Sequence, residues 1–206
     1  MANPSPQRRF QNPAVFVCDI QEGFRPAIFE FDKVIKTTIK LLRAASLLSI
    51  PTYVTTQNRT RLGNTVAELL PHLQTAVADA DKTRFSMWIP SISSHFPPEG
   101  PRAQVAIVGI ESHICVTQTA LDLISAGHRV HIIADAVSSC NREEVPIALA
   151  RLRAAGAVIT TSESWIYECM GDAGIDEFRS MVKLVKETGP DTKASMQGLL
   201  GGVSKI

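Results

Sequence analysis

Short apolar runs alternate along this chain with amphipathic stretches of helical period, and that alternation limits the fold more than any other feature. Val15-Phe16-Val17-Cys18 is a β-branched and aromatic run between Pro13 and the polar segment from Asp19, and reads as a buried strand. From Phe31 the apolar positions Val34, Ile35, Ile39, Leu41, Leu42, Leu47 and Leu48 recur at three- and four-residue steps, with Lys33, Lys36, Lys40 and Arg43 mainly between them. This is a helix with one wet face. Pro51 ends it and opens a strand over Thr52 to Thr56. The same grammar returns with a strand from Gln104 to Ile110, a helix from about Ile114 to Ala126 stopped by Gly127, and a strand from Arg129 to Ala134. A helix from Arg142 to Ala155 stops at Gly156, the strand Ala157 to Thr160 follows, and Ser162 is expected to cap a helix reaching Cys169. A last amphipathic helix is expected from Ile175 to Lys186.

Parallel strands need crossovers, and right-handed helical crossovers cover both faces of the sheet they serve. The expected class is therefore α/β: a three-layer α/β/α fold with a mostly parallel, Rossmann-like central sheet of about six strands. Residues 13–188 are expected to form one domain, between a flexible N-terminal segment (1–12) and a loose, glycine-rich tail (189–206). The stretch from Gln57 to Pro101 is irregular, with a short helix expected around Val66 to Leu70 and a further turn near Ile89 to His95.

Composition narrows the partners. Lys and Arg number 21 against 20 Asp and Glu, a formal charge of +1, so no net field recommends nucleic acid or an anionic membrane. No nucleic-acid or membrane partner is expected. The four cysteines form no C-x-x-C pair, which reads as free thiols in a reducing compartment. With no secretory h-region and no long apolar stretch, the expected location is cytoplasmic. The alternative is a peroxisome-type organelle, because Ser204-Lys205-Ile206 differs from the S-K-L address only at its last residue.

In a doubly wound sheet, ligands bind beyond the carboxyl ends of the strands, near the point where strand order reverses. Asp19 follows the first strand and Cys115 follows the strand ending at Ile110, so both project to one edge of the sheet. A thiol at a helix N-terminus feels the positive end of the dipole, which favours thiolate. Lys82 would join them if its segment is a short strand or the end of one. A carboxylate to take the thiol proton, an ammonium to hold the carboxylate, and backbone N–H groups at the helix start to hold an oxyanion make a coherent set. Taken singly, each has a plainer reading: Cys115 as a small buried apolar group, Asp19 as a turn or cap residue, Lys82 as a solvated surface side chain.

Three segments change that balance: Val17-Cys18-Asp19-Ile20-Gln21-Glu22-Gly23-Phe24, Lys82-Thr83-Arg84-Phe85-Ser86, and Val108-Gly109-Ile110-Glu111-Ser112-His113-Ile114-Cys115-Val116. In content, order and spacing they resemble the three motifs of the isochorismatase-like cysteine hydrolases, and the chain looks most like the eukaryotic isochorismatase domain-containing proteins. The resemblance implies Cys115 as nucleophile, Asp19 as general base and Lys82 as the charged third member. It further implies a non-proline cis peptide before Glu111, with the N–H groups of Glu111 and Cys115 as the oxyanion hole. Gln21, Phe24, Phe85, Trp88 and His113 are the candidate substrate-binding residues, the aromatics as apolar walls and the other two to orient a polar group. For the three aromatics core packing is an equal reading.

Nicotinamidases of this superfamily carry a D-x-H metal site with a second histidine after the second strand. Thr55 to Gly63 here holds neither histidine nor carboxylate, and His72 stands alone farther on, so no metal and no cofactor is expected. Isochorismatases that cleave a vinyl ether lack the nucleophilic cysteine that this chain keeps. The expectation is a metal-independent cysteine hydrolase acting on a small amide, imide or ester through a thioester, working as a homo-oligomer. A non-catalytic binding or scaffold protein on the same fold is the alternative. A ribonuclease or RNA-binding role is the weaker third reading, since no basic stripe, carboxylate cluster or RNA motif supports it.

Overall fold

The computed structural model describes residues 8–201. Six parallel strands form its sheet: β1 (Pro13–Cys18), β2 (Thr52–Gln57), β3 (Ala78–Lys82), β4 (Gln104–Gly109), β5 (Arg129–Val137) and β6 (Val158–Thr160). They lie in the order β3-β2-β1-β4-β5-β6, so the chain winds outward in both directions from a switch point between β1 and β4. The α/β/α expectation holds, including the strand number.

Alternation along the strands distributes the core. Val15 and Val17 face one layer, formed by α1 (Phe31–Leu47), α6 (Ser162–Met170) and α7 (Phe178–Leu200). Ala14, Phe16 and Cys18 face the other, covered by α3 (Pro90–Ser93), α4 (Thr117–Ser125) and α5 (Glu144–Ala154). A single turn, α2 (Arg59–Leu62), follows β2. The helix expected near Val66 is instead a turn leading into a 3-10 segment at Leu70–His72, where Pro71 offers no N–H to a longer helix.

Both terminal expectations need correction. The last helix does not stop at Lys186: α7 runs through Pro190 to Leu200, so residues 189–200 are not a loose tail. Pro190 cannot donate to the preceding turn, but packing against α1 compensates for that loss. Lys36 pairs with Asp191 at 2.8 Å, Arg43 with Glu187 at 2.9 Å, and Lys40 Nζ donates to Thr192 Oγ1 at 2.9 Å, while Ser195 and Leu199 are buried beyond the proline. The tripeptide Ser204-Lys205-Ile206 lies outside the described residues, as do residues 1–7 of the N-terminal segment. The part of that segment that is described is docked: Phe10 is 3 % exposed, 4.9 Å from the His131 ring and 6.3 Å from that of Trp165, and Arg8 pairs with Glu177 at 2.9 Å.

The cap of α6 also differs from expectation. Thr161, not Ser162, caps the helix by accepting from Ser164 N at 3.4 Å. Ser162 instead donates its N–H and hydroxyl to the buried Asp135 carboxylate, at 2.7 and 2.6 Å.

His131 sits beneath Phe10 with neither ring nitrogen hydrogen-bonded. Burial, aided by Arg129 and Arg9, pushes its pKa down to about 4. A histidine depressed in the folded state contributes stability that is whole above its unfolded value near 6.5, declines as pH falls through the interval, and is gone below about 4. Between pH 7.5 and 4.5 the chain should therefore lose about 2–3 kcal/mol more in urea unfolding than His131→Leu, which does not titrate there. Equal losses in the two proteins would show that this ring does not carry the acid sensitivity.

Candidate active site

Asp19 leaves β1 in the left-handed region, φ 52°, a conformation that aspartate tolerates better than most residues. This turns its carboxylate across the carboxyl edge of the sheet, where β2 supplies a donor: Thr55 Oγ1 gives a hydrogen bond to Asp19 Oδ1 at 2.7 Å. Lys82, the last residue of β3, reaches over the end of β2 to Asp19 Oδ2 at 2.7 Å, and both side chains are 1 % exposed. The ammonium has further acceptors in Gln57 Oε1 at 2.8 Å, Phe85 O at 3.0 Å and Arg84 O at 3.1 Å. Burial pulls the Lys82 pKa down, but Cys18, Asp19 and Cys115 together more than offset this, so the group sits above its ordinary value and stays charged.

Cys115 enters from the switch point's other side. After β4 the Ile110–Glu111 peptide is cis, and Ser112–Val116 form a single π-helical turn that feeds directly into α4. Ser112 N and Oγ both donate to Ser138 O, at 2.8 and 3.0 Å, anchoring this turn to the end of β5. From the first turn of α4, Thr117 Oγ1 donates to Ser112 O and Thr119 Oγ1 to Cys115 O, both at 2.6 Å, tying the π turn to the helix. The Cys115 thiol is buried, within electrostatic reach of Cys18 and Lys82.

Cys18, Thr55 and Gln57 were not singled out from the sequence. Cys18 is fully buried, its Sγ 3.7 Å from Asp19 Oδ2, and burial first, then its contacts with Cys115 and Asp19, hold its pKa well above the thiol range. It is a neutral donor between a carboxylate and a second thiol. Its position immediately before Asp19 was the available signal; for Thr55 and Gln57 the signal was the end of the adjacent strand.

The five candidate binding residues have different surroundings. Gln21 has a different place from the one expected: its Nε2 donates to Gly63 O at 2.8 Å and Gln57 O at 3.1 Å, and its Oε1 accepts from Gln57 N at 2.7 Å. With its amide spent on backbone, Gln21 braces Gln57, which in turn holds Lys82. Phe24 packs against the core on the α1 side. The Trp88 ring lies tilted against Phe96 at 5.5 Å and edge-on to His128 at 5.2 Å, lining a cleft of about 730 Å³ whose wall also includes Pro90 and Arg102. Phe85 is 49 % exposed beside the site, tied to it through the carbonyl that accepts from Lys82. His113 lies on the rim, its Nδ1 2.9 Å from Ser139 Oγ and 3.9 Å from Glu111 Oε2.

A doubly wound α/β protein with a carboxylate, an ammonium and thiols gathered at its topological switch point is the class that fold and site define together. The chain belongs to the isochorismatase-like hydrolase family: the family model of the isochorismatase domain matches residues 13–164. It is 46 % identical over 176 residues, 84 % of either chain, to the secreted isochorismatase effector Isc1 of Phytophthora sojae. To isochorismatase domain-containing protein 2 of Bos taurus it is 38 % identical, over 91 % of this chain and 87 % of the relative. Among solved structures, one described as the MAR1 ribonuclease of Caenorhabditis elegans superposes with a TM-score of 0.82 at 40 % identity, over 93 % of this chain and 96 % of that one. No helix among the described residues is long and apolar enough to cross a membrane.

Proposed function

We propose that the chain is a cysteine hydrolase acting on a small amide, imide or ester, with no catalytic metal in its reaction. Asp19 takes the Cys115 proton, and the thiolate attacks the substrate carbonyl carbon. The N–H groups of Glu111 and Cys115 hold the resulting oxyanion. Collapse breaks the carbonyl bond to the leaving group, which departs with the proton from Asp19. Water, deprotonated by Asp19, then cleaves the thioester and frees the acid and the thiol. The observation that carries this reading is the Lys82–Asp19 pair: at 2.7 Å and closed to solvent, it sets a carboxylate and an ammonium beside buried thiols, a costly arrangement with no core-packing benefit.

The test is a mass increment. An activated ester or amide of the substrate class should add its acyl group to Cys115, located by peptide mass spectrometry, and Cys115→Ala should acquire none there. Equal turnover of a broad amide panel by wild type and Cys115→Ala would overturn the nucleophile assignment, and an inert Cys115 would favour a non-catalytic binding protein.

The name of the Caenorhabditis elegans relative supports a second reading, cleavage of RNA. Cleavage of single-stranded RNA that survives Cys115→Ala would favour it over acyl chemistry.

A further inference from the structure

Glu111, His113 and Cys140 gather on the solvent side of the turn that carries Cys115, and one ligand-type atom of each lies within 4.8 Å of the others. They come from two loops that are already fastened together. Ser112 is bonded twice to Ser138 O, Cys140 N donates to Glu111 Oε2 at 2.8 Å, and the His113 ring is set by Ser139 Oγ at 2.9 Å. The backbone positions are thus fixed, and the Glu111 carboxylate and the His113 ring are held near Cys140 by these hydrogen bonds. Cys140 is exposed and unpaired in any disulfide, and Glu111 and His113 are half-buried.

The donor set is specific. Thiolate, imidazole and carboxylate together suit zinc, whereas magnesium and calcium take oxygen throughout. With zinc–ligand bonds of about 2.0–2.3 Å, tetrahedral ligands stand about 3.3–3.8 Å apart. His113 Nδ1 and Glu111 Oε2 are already at 3.9 Å, so the cluster has to close by about 1 Å at its widest, within the range of side-chain rotation alone.

We propose that Glu111, His113 and Cys140 form a binding site for a zinc-class divalent cation on the rim of the active site, with a fourth position open to water. Binding exchanges the Cys140 S–H bond for a sulfur–metal bond and releases one proton to solvent, with no change of oxidation state. The other thiol and carboxylate cluster, at Asp19, is barred to the cation by the Lys82 ammonium. The binding does not depend on the hydrolase reading. Its consequence does: the ion would grip the side chain of Glu111, the residue whose N–H is proposed to face the oxyanion.

Cobalt(II) is the probe, because a thiolate ligand gives it a near-ultraviolet charge-transfer absorption. Titrating the metal-free chain should reach one cobalt per chain with that absorption, and zinc should displace it. Cys140→Ala should lose the absorption, Cys115→Ala should keep it, and His113→Gln and Glu111→Gln should each weaken binding at least about ten-fold. Cys140 is exposed, so its variant should keep the wild-type circular dichroism. Absorption that persists in Cys140→Ala, or disappears in Cys115→Ala, would place the ion on the buried thiols and overturn the proposal; so would failure to bind at submillimolar cobalt.

Discussion

Lys82→Met should destabilise the chain by about 3–5 kcal/mol and slow acylation of Cys115 by about 10²- to 10⁴-fold. The stability loss follows from what the ammonium holds. Its removal leaves the buried Asp19 carboxylate with Thr55 and Cys18 as donors and no counter-cation, and strips Gln57 Oε1 and two carbonyls of a donor. The double variant Asp19→Asn/Lys82→Met separates structure from chemistry. With both charges gone, at least about half of the lost stability should return, because a buried pair attracts little more than it costs to desolvate. Acylation should not return with it, since the proposed base is gone too. Urea midpoints read the first quantity and time-resolved mass spectrometry of Cys115 the second. If the double variant recovered the acylation rate, Asp19 would not be the base; if the two single losses simply added, the pair would not be coupled.

What the sequence made legible here is what repeats or stands at a strand end. β1, β4 and β5, and the length of α1, follow from periodicity; Asp19 and Cys115 were readable from their places after apolar strands, and Lys82 only through the three-motif resemblance, since Ala78–Lys82 carries two acidic residues and no apolar run. What was not legible depends on neighbours distant in the chain. Thr55 and Gln57 join the site only because β2 lies between β1 and β3, a lateral order that no local pattern records. Phe24 packs on the face of the sheet opposite the thiols, while Trp88 joins Phe96 and His128 on the thiols' own face, in a segment with no period from which to infer a direction. The continuation of α7 through Pro190 is decided by ion pairs and burial on α1, which override the local preference of proline. Thr161 and Ser162 are equally suited to capping, and only the buried Asp135 determines which hydroxyl is taken.

Gly109→Ala should be the most damaging single methyl in the molecule, costing more than about 4 kcal/mol or preventing folding outright. A Cβ built there would stand 2.0 Å from Cys18 O and 2.8 Å from Cys18 C, backbone atoms held in the central β1–β4 pairing, and φ is +114°. Neither strand can retreat, since Cys18 O also accepts from Ile110 N at 2.9 Å and β1 is gripped by β2 on its other side. Gly156→Ala is the control, with φ +100° and nothing within 4 Å of the added carbon. It should cost only the backbone penalty, about 1–2 kcal/mol. The difference between the two variants isolates the close approach of the strands, and its place is informative. Gly109 lets β1 and β4 meet where Asp19 and the Glu111–Cys115 turn leave the sheet, so a soluble Gly109→Ala should also acylate Cys115 more slowly than Gly156→Ala. Equal stability of the two variants would show that the sheet edge yields to a methyl group, and that close backbone contact at the switch point does not set the distance between Asp19 and Cys115.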